Sequence, residues 1–201
     1  MDGLEKMIVF RVQNICFPAW LSAVALVVCV VMASSANAAE VPYEIVKKAS
    51  LKSGDPAPAP KGAAVLIVLG ATRGGGKPLP FDLAGLEQLG TVTFRSRNIW
   101  YPKPVTYEGV LGSVLLDFVG VPPGKTHLKL RALNEYVARI PIEDFRKWPV
   151  LFALKLDGGY MPVREKGPVW VVYPNHLHPE LGEGLYQDRW VWQLKEMSFE
   201  P

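Results

Sequence analysis

Three stretches of this sequence carry residue types that do chemistry. Gly70-Ala-Thr-Arg-Gly-Gly-Gly-Lys77-Pro78 has the glycine density of a phosphate-cradling loop. The pattern G-x-x-x-x-G-K-[ST] would need glycine at 71 and Ser or Thr at 78, where the chain has Ala71 and Pro78. It reads as a mobile surface loop. His176-Leu177-His178 offers two imidazoles, but the remaining histidine, His127, falls in a predicted strand. A metal asks for more ligands than that, so the pair reads as surface-loop histidines beside Pro179. The third group is scattered: Arg97, Trp100, Arg131, Arg164, Lys166, Trp170, Arg189, Trp190 and Trp192 stand in or beside predicted loops and strand ends. A planar, hydrogen-bonding heterocycle would stack on Trp and take contacts from Arg and backbone amides. The competing reading is Trp as core and Arg as a solvated face. No G-x-S-x-G elbow is present, which leaves a serine hydrolase without support.

Cysteine chemistry depends on the first 38 residues, because Cys16 and Cys29 both lie there. Arg11 precedes an apolar run from Ala19 to Met32, and Ala36-Asn37-Ala38 fits the A-x-A cleavage rule. The run is shorter than the roughly 20 residues that span a bilayer. The expectation is a cleaved export signal over 1–38 and a periplasmic location, with an uncleaved anchor as the alternative. The remaining chain, Ala39–Pro201, has no cysteine. It would form no disulfide, no disulfide-linked partner, no thiolate nucleophile and no Cys-ligated metal site. The 22 Lys+Arg against 19 Asp+Glu give a charge of +3, too mild for a nucleic-acid binder. An apolar content of 49% is that of an ordinary globular protein.

The elements that must position these residues follow from punctuation and period. Residues 39–62 end in alternating Pro and Ala and read as a linker or extended arm, with the domain proper over 63–201. Ala63–Leu69 is an apolar run suited to a buried strand. Asp82 caps a short helix carrying Leu83, Leu86 and Leu89 that stops at Gly90. Thr91–Arg97 alternates as a strand, and Leu111, Val114, Leu115 and Phe118 mark an amphipathic helix over 110–119. His127–Ala132 and Val137–Ile140 read as strands and Ile142–Lys147 as a helical turn. Val150–Leu156 and Tyr160–Val163 flank the hairpin signal Asp157-Gly158-Gly159. Val169–Tyr173 is β-rich, and Trp190, Trp192 and Leu194 alternate near the end. Helices and strands mix without a βαβ rhythm, so the fold class is α+β.

Several segments stand in a familiar order. They are Tyr107-Glu108-Gly109-Val110-Leu111 before Phe118-Val119-Gly120, then Ala132-Leu133-Asn134-Glu135-Tyr136, then Ile140-Pro141. Leu156 through Trp170, Tyr173-Pro174 and Arg189-Trp190-Val191-Trp192-Gln193-Leu194 follow. From Val65 to Phe199 the chain resembles the oxidoreductase molybdopterin-binding domain of the sulfite oxidase family, most of all its small stand-alone exported members. The resemblance implies a sulfite oxidase-like fold of mixed β-sheets with short helices. In the family's enzymes a cysteine thiolate ligates molybdenum, and its position falls here on Arg95 or Ser96. Neither is a soft, anionic ligand. Two residues beyond Pro168, where the enzymes commonly have Arg, this chain has Trp170.

The resemblance therefore implies a pterin-shaped pocket without the molybdenum ligand. Arg131 and Asn134 would pair with the pterin's donor–acceptor edge, and Trp100, Tyr136 or Trp170 would stack. Arg164 and Lys166 would border a loop whose Gly167 backbone approaches the ligand. Arg97 and Arg189 would close the mouth. The expected function is a periplasmic, non-catalytic protein that binds a metal-free pterin and serves as a sensor for the periplasmic domain of a membrane signalling protein. The alternative is a molybdenum-cofactor-dependent oxidoreductase lacking the usual cysteine, carrying molybdopterin. A structural remnant without a ligand is the third reading.

Overall fold

The computed structural model describes residues 42–201; the expected signal at 1–38 lies outside them. Among the described residues no helix is long and apolar enough to cross a membrane. The chain forms β1 (Glu44–Lys47), β2 (Leu66–Leu69), β3 (Leu79–Phe81), α1 (Leu83–Glu87), β4 (Thr91–Asn98) and β5 (Tyr101–Leu111). Next come α2 (Gly112–Val119), β6 (His127–Ala132), β7 (Val137–Pro141) and α3 (Ile142–Lys147). The last elements are β8 (Leu151–Leu156), β9 (Gly159–Tyr160), β10 (Trp170–Val172) and β11 (Leu194–Glu200). They build two sheets, β1-β4-β5-β8-β10 with β9 also on β8, and β3-β2-β11-β6-β7. Among the described residues only β2 and β11 run parallel to each other. The result is a sheet-dominated α+β architecture around one core, in which Leu66, Val68, Val110, Leu115, Leu130, Phe152 and Met197 are all buried.

Period explains most of these elements. Along β6, Leu128, Leu130 and Ala132 are buried and the residues between them are half-exposed, as strict alternation requires. Leu115, Leu116, Phe118 and Val119 fix α2 against the core, and Gly120, at φ 77°, ends it. Asp157 and Gly158, at φ 46° and 85°, make the tight β8–β9 turn. The second strand of that hairpin stops at Tyr160 rather than Val163, because Pro162 precedes a 3-10 turn over Val163–Glu165. The terminal strand likewise begins at Leu194, so Trp190 and Trp192 precede it.

The longest strand, β5, is one that sequence period does not announce, since it contains Pro102 and Pro104. The topology accommodates both. β4 pairs with β5 from Tyr101 to Gly109, whereas β8 joins the other side only from Tyr107 to Leu111. The prolines lie where β8 does not reach, as prolines within sheets do.

Residues 42–62 belong to the same compact unit as the rest of the described chain. β1 pairs antiparallel with β4, with Ile45 opposite Val92. The amides of Ser50 and Leu51 donate to Gln88 O at 2.9 and 3.0 Å. Those of Lys61 and Gly62 donate to Asp82 Oδ2 at 2.8 and 2.9 Å, while Asp82 Oδ1 caps α1 by accepting from Gly85 N at 2.7 Å. These backbone bonds, that of Gly85 first, hold the Asp82 carboxyl below its usual pKa. The glycine-rich segment at 70–78 is also partly anchored. Arg73, in a 3-10 turn over Thr72–Gly74, lies 4.6 Å from the Phe118 ring centre and donates to Asp55 O at 2.7 Å.

Candidate ligand-binding site

The end of β4 faces the segment between β10 and β11 across a cavity of about 730 Å³. Arg95, Ser96, Arg97 and Asn98 line it from the strand, and Asn175, His176 and Gln187 are among those opposite. Ser96 is buried, and its hydroxyl donates to the Asn175 side-chain oxygen. Asn98 Oδ1 accepts from the amides of Trp100 and Tyr101 at 2.8 and 2.9 Å, folding the β4–β5 turn that projects Ile99 and Trp100. Its amide nitrogen donates to the hydroxyl of fully buried Tyr107, whose pKa burial pushes far above the ordinary value. His176 stacks on Phe94 at 4.9 Å, and its partial desolvation, with His178 adding, lowers its pKa.

A second cavity of about 280 Å³ adjoins the first, since Ile99 and Gln187 line both. Its walls include Trp100, Trp190, Trp192, Asn134 and Tyr136. The Trp100 ring centre lies 5.6 Å from that of Trp190 and 5.3 Å from that of Trp192. The tight β6–β7 turn, with Glu135 at φ 67°, presents Asn134 and Tyr136. Asn134 Oδ1 accepts from Tyr136 N at 3.1 Å, and Tyr136 Oη donates to Asp188 O at 2.8 Å.

Behind this wall sits Lys166. Its ammonium lies 4.5 Å from the Trp192 ring centre and 5.5 Å from those of Trp100 and Trp170. Burial lowers its pKa. Lys166 and Gln193 both have left-handed backbone, at φ 73° and 51°, and Gln193 N donates to Lys166 O at 2.8 Å.

Of the residues singled out from sequence, the structure gathers Arg97 at the larger cavity and Trp100, Asn134 and Tyr136 at the smaller, with Lys166 behind them. Four others stand elsewhere. Arg131 reaches Glu135 and Glu196 at 3.6 and 3.7 Å on the sheet face. Arg164 is exposed and pairs with Glu165 at 3.3 Å. Trp170 is fully buried, so it offers no face to a ligand; it packs edge-on against Trp100 and Tyr107. Arg189 does not close a mouth: its guanidinium binds Asp144 Oδ2, which also accepts from Tyr173 Oη at 2.7 Å. Gly167 approaches protein rather than ligand, because a Cβ there would lie 1.8 Å from Met161 O. Sequence reasoning passed over Asn98, Asn175 and Gln187. The signal for Asn175 was its place directly after Tyr173-Pro174.

At the position where the family's thiolate would stand, Arg95 is a cation and the Ser96 hydroxyl is committed to Asn175. Among the described residues no three His, Cys, Asp or Glu side chains converge as a metal site. The residues present do not fit a thiolate-held molybdenum.

No family model matches the chain, and no curated protein matches it. Among solved structures it is similar to the sulfane dehydrogenase SoxCD from Paracoccus pantotrophus, with a TM-score of 0.52 over 72% of this chain at 20% identity. The chain spans 40% of that protein's matched chain. At this identity the likeness is one of fold alone, a sheet-dominated mixed architecture.

Proposed function

We propose that the chain is an exported, non-catalytic binding protein for a metal-free pterin, and that it signals occupancy to the periplasmic domain of a membrane signalling protein. The observation that carries this reading is the pair of adjoining cavities, one aromatic and one polar, on a molybdopterin-type fold whose thiolate position falls on Arg95 or on the buried, hydrogen-bonded Ser96. The larger lies within the range of about 300 to 1,000 Å³ usual for small-ligand sites, and the smaller, at about 280 Å³, lies just below it. The bicyclic ring lodges against Trp100 and Trp192, where an aromatic face gains most from stacking. Asn134 and Gln187 meet its donor–acceptor edge. Asn134 Oδ1 serves Tyr136 N, and its amide N–H groups have no partner among the described residues. Gln187 has its oxygen free, because its Nε2 donates to Gly182 O at 2.9 Å. The ligand's substituents extend past Ile99 toward Arg97, Asn98 and Asn175.

The test is to purify the protein from the periplasm of expressing cells and to measure bound pterin and molybdenum together. One pterin per chain without molybdenum is expected. Stoichiometric molybdenum overturns the reading in favour of the oxidoreductase. Absence of pterin, with no binding of added oxidised or reduced pterin, overturns it in favour of a fold without a ligand.

A further inference from the structure

We infer that the free edge of β1 is a self-association surface, on which two copies of the chain join their six-stranded sheets through antiparallel β1 pairing centred on Val46. Apart from the two-residue β9, four strands end the two sheets: β1, β10, β3 and β7. Three of these edges are closed or blunted. Beyond β10, Val171 N donates to Val191 O at 2.8 Å, so the following chain covers that side. β3 contains Pro80, and β7 ends at Pro141. β1 contains no proline and is exposed at all four positions, with Ile45 at 67% and Val46 at 51%. Two adjacent exposed β-branched residues on an edge that no strand pairs among the described residues are a template for another strand.

Charge selects the occupant. A two-fold axis normal to the sheet pairs residues of equal and opposite offset from its centre. Centred on Val46, it sets Val46 against its own copy and Glu44 against Lys48 of the second copy, twice over. Centred on Ile45, it would set Glu44 against Val46 and leave both charges unpaired. Glu44 and Lys48 are exposed and carry no ion pair among the described residues, whereas Lys47 is already bound to Glu87 at 3.2 Å. Opposite charges directly across two strands stabilise the pairing and like charges oppose it. A bulge between Ile45 and Lys47 limits the paired length, so the dimer is weak and concentration-dependent. This surface is separate from the ligand cavities, and its test does not depend on what they bind.

The test is sedimentation equilibrium of the chain as exported, from micromolar to millimolar concentration, with circular dichroism to check each fold. The average mass should rise toward that of a dimer. Glu44→Lys and Lys48→Glu should each weaken association about tenfold or more, and the double exchange should restore it. A chain that stays monomeric throughout overturns the proposal. So does association that the single reversals leave unchanged or that the double exchange fails to rescue.

Discussion

The Lys166 ammonium lies 4.5 Å from the centre of the Trp192 ring and forms no ion pair among the described residues. Aromatic faces are its counter-charge, since Trp100, Trp170 and Tyr101 also surround it within 5.9 Å. Lys166→Met keeps the apolar stem and removes the charge. Because burial of the ammonium offsets part of the attraction, the expected loss of stability is small, about 0.5 kcal/mol. The clearer readout is tryptophan emission. Three of the chain's six tryptophans meet this one cation, so their spectrum should shift in Lys166→Met and stay near the parent's in Lys166→Arg. An unchanged spectrum in Lys166→Met would show that the contact is not populated in solution.

Ligand binding separates two residues that sequence reasoning placed together. Trp100 lines the aromatic cavity, whereas Arg131 spends its guanidinium on Glu135 and Glu196. Base–aromatic stacking is worth about 1–3 kcal/mol. Trp100→Ala should therefore weaken pterin binding roughly tenfold to a hundredfold. Arg131→Ala should leave it within about twofold, as read by titration calorimetry. The reverse ranking would move the site to the open face of the β6 sheet.

Why the sequence groups these two, and also Arg189, is a matter of range. Elements whose residues alternate or repeat locally are legible. The strand over His127–Ala132 and the helix over Ile142–Lys147 follow directly from their own side chains. β5 is hidden because its prolines are tolerated only through the unequal reach of β4 and β8, a property of the assembled sheet. Arg189 looks free in sequence because its partner, Asp144, stands 45 positions earlier. Trp170 is offered as a stacking face by the family resemblance; its own apolar run, Val169–Tyr173, already suits a buried strand. Arg97 and Trp100 stand out locally as an arginine and a tryptophan at a strand end, whereas Asn134 and Tyr136 come from the family resemblance rather than from local pattern.

Asp82 ties two structures with one carboxylate, capping α1 and holding the arm at Lys61 and Gly62. Its pKa is lowered from 3.8 in the folded state, so the stability it contributes is fully present above that value. That stability is lost as pH falls through the folded pKa. Asp82→Asn removes the charge while keeping the shape, and should cost about 1–2 kcal/mol at neutral pH. Thermal melts from neutral pH down to below 3.8 should show the parent losing stability on the acid side more steeply than the variant. Parallel acid limbs would mean that another carboxylate governs it.

The Asp144 carboxylate joins α3 to the chain on either side of the cavity wall. It accepts from Tyr173 Oη, just after β10, and from Arg189, which follows Gln187 and Asp188. Asp144 is 6% exposed, so its removal strands a largely buried guanidinium. Breaking one side of a buried ion pair costs about 3–5 kcal/mol, whereas replacing both sides with apolar groups can recover much of that loss. Asp144→Ala should lower the denaturation midpoint by an amount of that order. The double variant Asp144→Leu with Arg189→Met should regain stability relative to the single. Ligand affinity should fall in both, because Arg189 directly follows Gln187 and Asp188, which line the aromatic cavity. If the double variant regains affinity as well as stability, the ion pair acts only on folding, and the wall residues hold their places without it.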